Sequence, residues 1–182
     1  MPRLNPPDPN QYSDRQREVA DAITAGPRGG LRGPLAMWLH RPELADRAQA
    51  FGQYCRFDSS LPPVLSELAI LVTARHWSAE YEWFAHKRIA LEAGLDPAIA
   101  EAIRARAEPV FDDPKQEVVY AFAQALHGDK RVPQALYDTA VERLGAAAVV
   151  DLVAVLGYYG FVSMTLNVFE VMPPDDVPRE MD

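Results

Sequence analysis

A glutamate and a histidine one helical turn apart are the residues best suited to chemistry in this 182-residue sequence. Glu82 and His86 are four positions apart, so on a helix their side chains share a face. A carboxylate that accepts from one imidazole nitrogen fixes the tautomer and leaves the other nitrogen for proton transfer near neutral pH. The pair therefore predicts general acid or base chemistry. A weak ion pair on a helix surface is the alternative that this spacing leaves open.

A second carboxylate, Glu67, belongs to an apolar helical row. Ile70, Leu71 and Ala74 follow it at offsets of three, four and seven, which place all four side chains on one helix face. A carboxylate carried inward on such a face needs a polar partner, and we expect Glu67 to approach His86 from the preceding helix. Its place near the first turn also suits a negative charge that reaches solvent, so this alternative stays open.

Metal, nucleotide and disulfide chemistry have less support in the residue types. A metal site would have to combine Glu67, Glu82 and His86 with His76, and these lack a recognised ligand spacing, so we predict no metal. Neither a GxGxxG nor a GxxxxGK[ST] loop is present, and we predict no cofactor. The single cysteine, Cys55, excludes an intrachain disulfide and a CxxC pair. His40 and His127 have no evident partner, and we interpret both as structural.

The charge balance is acidic. Eighteen Lys and Arg residues stand against 26 Asp and Glu residues, a net charge of -8, which argues against nucleic acid or an anionic membrane as a partner. The amino terminus lacks the apolar segment of a secretory signal or anchor. The longest apolar run begins near Ala146 and is interrupted by Asp151, so we interpret it as a buried helix. We expect a cytoplasmic protein that acts on a small molecule.

The predicted fold class is all-α, because apolar residues recur at helical spacing and no convincing alternation of a strand occurs. Helices are predicted at about 62–78, 79–93 and 146–171. Pro62 and Pro63 suit a first helical turn, and Gly94 suits the position after a helix. Prolines are concentrated at both ends, which predicts extended tails. The predicted divisions are a tail at 1–12, a helical segment at 13–60, a core at 61–172 and a tail at 173–182.

The stretch LPPVLSELAILVTARHWSAEYEWFAHKRIALEAGLDPAIAEAI resembles the core helix pair of the carboxymuconolactone decarboxylase and alkylhydroperoxidase D (AhpD-like) superfamily. Redox members carry a glutamate, a CxxC and then a histidine, and Glu67 and His86 stand at matching places. The two cysteine places hold Ala79 and Glu82, so thiol peroxide chemistry through that motif is lost. Decarboxylase members similarly carry a glutamate four residues before the histidine. The resemblance implies an all-α helical bundle and a homo-oligomer, whether dimer, trimer or hexamer.

The resemblance also implies a function. It indicates cofactor-independent decarboxylation or proton transfer on a small carboxylated lactone or carbonyl compound, with Glu67, Glu82 and His86 as catalytic residues. Loss of carbon dioxide leaves an enolate that needs a proton donor, a role that suits His86. Substrate carboxylates need a cation, for which Arg75 and Arg88 are candidates.

Two residues are further candidates for substrate contact. Trp83 belongs to an aromatic cluster with Trp77, Tyr81 and Phe84, which also suits a core or a subunit contact. Asn167 places an amide among apolar neighbours, where it must hydrogen-bond to the protein or to a ligand.

Two other functions remain as alternatives. One is alkylhydroperoxidase or peroxiredoxin-type antioxidant activity, with Cys55 as the sole thiol, although this residue lies outside the helix pair and has no resolving partner. The other is a binding oligomer that has no catalytic activity.

Overall fold

The computed structural model describes residues 2–181, and within that range the chain forms nine α-helices and no β-strand. The all-α prediction is therefore confirmed. The helices are α1 Asp14–Ala25, α2 Pro34–Trp38, α3 Pro42–Gln53, α4 Pro63–Trp77, α5 Glu80–Glu92, α6 Pro97–Arg104, α7 Pro114–Asp129, α8 Gln134–Leu144 and α9 Ala146–Phe169. A 3₁₀ turn at Pro9–Gln11 and a π-helical turn at Tyr54–Asp58 accompany them.

Helix α4 is the centre of the bundle. It packs against α5, α7 and α9, and every residue from Leu65 to Ala74 is buried. Pro63 occupies its first turn, where a missing backbone N–H costs nothing, and Ser78 ends it in the left-handed conformation with φ of 47°. Because no face of α4 reaches solvent in this stretch, Glu67 is carried into the interior.

Helix α9 is the other long core element. It has the length and composition to cross a membrane, but 61% of its most apolar window is buried inside the protein, as in a core helix. Asp151 is buried on this helix and accepts hydrogen bonds from Tyr54 Oη at 2.6 Å and from Ser60 N at 2.7 Å. These bonds satisfy the buried carboxylate and fasten the π-helical turn to α9.

Local capping sets several helix starts. Ser13 and Gln16 form a reciprocal capping box at α1, and Asp113 accepts from the backbone N–H of Lys115 at α7. Helix α7 continues through Gly128 to Asp129, and Lys130 ends it in the left-handed conformation.

Both proline-rich ends pack on the bundle. The backbone N–H of Arg3 donates to the Phe169 carbonyl at 2.9 Å. At the other end Met181 is buried, and the backbone N–H groups of Glu180 and Met181 donate to the Glu80 carboxylate. The carboxyl-terminal segment is therefore non-helical, but it is fixed to the first turn of α5.

Candidate active site

His86 lies between two carboxylates in the interior. Its Nδ1 donates to Glu67 Oε2 at 2.7 Å, and its Nε2 lies 3.1 Å from Glu82 Oε1. None of the three residues is more than 4% exposed. Glu67 comes from α4 and the other two come from one face of α5, so the packing of these helices assembles the cluster.

The two glutamates hold the imidazole differently. The contact from Glu67 is an aligned hydrogen bond, whereas Glu82 Oε1 is close to Nε2 but has no aligned hydrogen-bond partner within residues 2–181. Glu67 therefore fixes the ring, a role that the helical spacing alone would give to Glu82. Nε2 and the Glu82 carboxylate remain available to a bound molecule.

The surroundings of His86 favour its charged form. Burial lowers the pKa of His86, but the Glu82 and Glu67 carboxylates outweigh burial and raise that pKa to about 9. The imidazole therefore carries two protons at neutral pH. A protonated Nε2 beside a carboxylate is a proton donor with an acceptor at hand.

Glu82 and His86 form part of the wall of a cavity of about 370 Å³. Another part of the wall comes from the amino-terminal third of the chain, through the loop at residues 27–33, helix α2 and the π-helical turn. Tyr158 and Tyr159 of α9 complete it. The volume suits a small organic molecule.

Arginines dominate the polar part of this cavity. Arg28, Arg32 and Arg56 line it, and none of them has a carboxylate within ion-pair distance in the described part of the chain. A fourth, Arg88, pairs with Glu92 at 2.6 Å. In a protein of net charge -8, three unpaired guanidinium groups around one cavity favour an anionic ligand.

A glycine creates room for one of these arginines. Arg28 Nη2 lies 3.4 Å from Tyr158 Oη, beside the backbone of Gly52 on α3. A Cβ atom on Gly52 would lie 2.1 Å from Tyr158 Oη and 2.4 Å from Arg28 Nη2. Only glycine therefore permits this placement of both side chains.

Three polar atoms at the cavity wall are buried without a hydrogen-bond partner among residues 2–181. They are Arg28 Nε, Glu82 Oε1 and Tyr159 Oη. Burial raises the pKa of Tyr159 well above its usual value, so its hydroxyl is a neutral donor. Buried polar atoms are normally paired, and three exceptions around one cavity are consistent with groups that pair with a bound molecule.

Trp83 and Asn167, the expected substrate contacts, do not line this cavity. Trp83 is fully buried and its Nε1 donates to Glu180 Oε2 at 3.2 Å, since it follows Glu82 and points to another side of α5. Asn167 is exposed, and its Nδ2 donates to the Trp77 carbonyl at 2.7 Å, at the end of α4. Both side chains have structural partners.

The remaining histidines also have partners. His40 Nε2 lies 2.9 Å from the Asn5 carbonyl, and His127 Nε2 lies 2.9 Å from Thr73 Oγ1. The expectation that these two lack partners is wrong, because each meets a residue distant in sequence. His76 stacks on His127 with ring centres 4.7 Å apart, and it borders a different cavity from His86.

Cys55 is fully buried and does not line the cavity. Burial raises the pKa of its thiol to about 11, with a further contribution from Asp151. Since the thiolate is the reactive form, this environment makes Cys55 a poor nucleophile.

Sequence reasoning singled out Arg88 among the arginines of this cavity, but not Arg28, Arg32 or Arg56. Arg75 and Arg88 were the expected cations, but Arg75 lies elsewhere and Arg88 is paired. The signal that could have pointed to Arg28 and Arg32 is the loop PRGGLRGP, which places two cations within a glycine-rich turn. No sequence pattern indicated Arg56, because its position at the cavity depends on the π-helical turn.

Residues 42–125 match the model of the carboxymuconolactone decarboxylase family, which confirms the resemblance drawn from the sequence. That segment contains Glu67, Glu82 and His86. A search of curated proteins finds no match.

Two solved structures share the fold. One is described as an uncharacterized peroxidase-related protein from Silicibacter sp. TM1040, with a TM-score of 0.76, 17% identity, and coverage of 96% of this chain and 93% of that chain. The other, from Ralstonia eutropha JMP134, is described as an alkylhydroperoxidase AhpD core and uncharacterized peroxidase-related protein. Its TM-score is 0.77 at 18% identity, with coverage of 97% of this chain and 94% of that chain. This chain therefore has the AhpD-like helical fold.

Proposed function

We propose that this protein is a cofactor-independent acid–base enzyme, which decarboxylates or transfers a proton on a small carboxylated lactone or carbonyl compound. The observation that carries the proposal is the protonated His86, held by Glu67 and exposed through Nε2 to an arginine-lined cavity. The match of residues 42–125 to the carboxymuconolactone decarboxylase family supports the same reaction class.

The arginines indicate which group of the substrate the cavity binds. Guanidinium groups form paired, charge-assisted hydrogen bonds with carboxylates, and Arg28, Arg32 and Arg56 have no carboxylate within ion-pair distance among residues 2–181. A substrate carboxylate held there lies in the same cavity as Glu82 and His86. In this proposal the arginines, and not a metal ion, bind and orient the substrate.

Glu82 and His86 carry out the chemical step in this proposal. When the carbon–carbon bond to a carboxylate breaks, carbon dioxide leaves and the electron pair enters an enolate conjugated to the lactone or carbonyl oxygen. His86 Nε2 then delivers its proton to the carbon, and solvent restores it. The Tyr159 hydroxyl and a guanidinium group stabilise the charge that develops on oxygen. Glu82 accepts a proton where the reaction begins with proton abstraction.

A thiol peroxidase is the alternative function. The descriptions of the two fold relatives as peroxidase-related apply to those proteins. In this chain the family's cysteine places hold Ala79 and Glu82, and Cys55 is buried with a raised pKa outside the cavity. These features favour acid–base chemistry over redox chemistry.

A substrate screen tests the proposal. Carboxylated lactones and oxo acids are incubated with the protein in deuterated water, and NMR follows carbon dioxide release and deuterium incorporation at carbon. We expect turnover of at least one doubly carboxylated compound, abolished in Glu82→Gln/His86→Ala. Peroxide consumption that disappears in Cys55→Ser, without deuterium incorporation, would overturn the proposal. Tight binding of these compounds with no turnover would identify a binding protein instead.

A further inference from the structure

A second cavity lies at the carboxyl end of α4. Its volume is about 90 Å³, and its polar wall consists of Arg75, His76, Arg106, Tyr120 and Gln124. Arg75 is eight residues beyond Glu67, about 12 Å along the helix, and the two cavities share no lining residue. This cavity is therefore separate from the candidate active site.

The cavity wall concentrates positive charge without a counterion. It contains no carboxylate, and neither Arg75 nor Arg106 forms an ion pair with any residue that the structure describes. Both guanidinium groups instead contact Ser78 Oγ, at 3.1 Å from Arg75 Nη1 and 3.2 Å from Arg106 Nη2. Two like charges that share one neutral acceptor repel each other, so an anion between them would be stabilised.

The hydrogen-bonding groups of this wall point to an acceptor ligand. Arg75 Nε is buried without a hydrogen-bond partner within residues 2–181. The Tyr120 hydroxyl accepts from Gln124 Nε2 at 2.8 Å, which leaves its own proton to donate. Arg106 is held over the cavity by a bond from its Nη2 to the Arg75 carbonyl at 3.3 Å. Arg75, Arg106 and Tyr120 therefore supply hydrogen-bond donors to this wall.

We propose that this second cavity binds a small oxyanion of the phosphate class, either free or as the terminal group of a phosphomonoester. The cavity volume of about 90 Å³ accommodates one tetrahedral oxyanion. Charge complementarity then comes from Arg75 and Arg106, and the Tyr120 hydroxyl supplies a neutral donor.

Equilibrium dialysis with radiolabelled inorganic phosphate at constant ionic strength tests this site, with methyl phosphate as a second probe. Arg106→Gln removes an exposed cation, and Arg75→Gln removes the one with the unpaired Nε. Arg47→Gln is the matched control, because it loses the same charge on α3 and borders neither cavity. Arg28→Gln reports on anions in the larger cavity.

We expect each of Arg75→Gln and Arg106→Gln to weaken phosphate binding at least ~10-fold, since each loses charge-assisted hydrogen bonds. Arg47→Gln and Arg28→Gln should retain this binding, and phosphate should shift the His76 imidazole resonances. Binding of methyl phosphate equal to that of phosphate would identify a phosphomonoester site, and weaker binding would identify a free-anion site. Absent binding of both probes, or binding lost only in Arg28→Gln, would overturn the proposal. Circular dichroism confirms that each variant is folded.

Discussion

At the scale of single residues, the chemistry depends on how His86 is held. Glu67 fixes Nδ1 through a hydrogen bond of 2.7 Å, and the ring edge packs against Tyr159 with centres 5.0 Å apart. The imidazole has little freedom to rotate, so Nε2 keeps one direction toward the cavity. A proton donor that is already oriented lowers the entropic part of the barrier.

The raised pKa of His86 makes stability depend on pH. Its folded pKa of about 9 lies above the usual 6.5, so the protonated ring stabilises the fold fully below about pH 6.5. This contribution is lost as pH rises from 6.5 through 9. We expect urea denaturation to show a loss on the order of 2–3 kcal/mol between pH 6.5 and pH 9.5 that is absent in Glu67→Gln/His86→Leu. An identical pH dependence in both proteins would contradict the ion-paired histidine.

A substitution at Gly52 tests whether the arginines of the cavity bind the substrate. The Gly52→Ala change displaces Tyr158 and Arg28, because the new Cβ would lie 2.1 Å from the Tyr158 hydroxyl. We expect KM for a carboxylated substrate to rise about 10-fold with a smaller change in kcat, measured by steady-state kinetics. Gly128→Ala is the control, since no atom of the described residues 2–181 lies within 4 Å of its added Cβ. Unchanged KM in a folded Gly52→Ala protein would show that Arg28 does not hold the substrate.

At the scale of elements, the carboxyl-terminal segment fastens α5. Glu80 accepts from the backbone N–H groups of Glu180 and Met181, and Glu180 bonds to Lys87 and to Trp83. The helix that carries Glu82 and His86 is thus anchored on another face by residues about 100 positions later in the chain.

The Glu80→Gln change should loosen this anchor. It replaces two charge-assisted hydrogen bonds with weaker ones, so we expect a loss of about 1–3 kcal/mol in urea denaturation and faster proteolysis of the carboxyl-terminal segment. Glu142→Gln serves as control, because Glu142 is exposed on α8. Equal protease sensitivity of both variants would contradict the anchoring role.

Local signals in the sequence were sufficient for the helix framework. Pro63 starts α4, Gly94 follows α5, and the apolar row after Glu67 predicted its inward side. The position of the cavity arginines depends on tertiary packing instead. Arg28 lies in a loop, and its side chain packs beside Gly52 and Tyr158, which are distant in sequence. Helical spacing placed Glu82 beside His86, but the division of roles with Glu67 required the packing of α4 on α5.

At the scale of the whole molecule, α9 leaves an apolar stripe in solvent. Val150, Val153, Met164 and Val168 are 68%, 47%, 43% and 57% exposed, and Gly157 lies between them. Their spacing of three, four or seven residues places them on one face of the helix. Such a continuous apolar stripe marks a surface for association.

We expect a second copy of the chain to cover this stripe. Light scattering at micromolar concentration should give a multiple of 20.2 kDa, and Val153→Asp should shift the mass toward the monomer. Val110→Asp is the control, because Val110 is 86% exposed and lies outside the stripe. A monomeric wild-type protein would contradict the prediction.

The proposed acid–base function depends on His86 as the proton donor, and the turnover of His86→Ala tests this most directly. With the substrate from the screen, kcat/KM is measured for wild type, His86→Ala and Cys55→Ser, with fold and assembly checked for each. We expect kcat/KM to decrease ~100-fold to 10,000-fold in His86→Ala and to stay unchanged in Cys55→Ser. Undiminished turnover by folded His86→Ala, or its loss in folded Cys55→Ser, would contradict acid–base catalysis at this site.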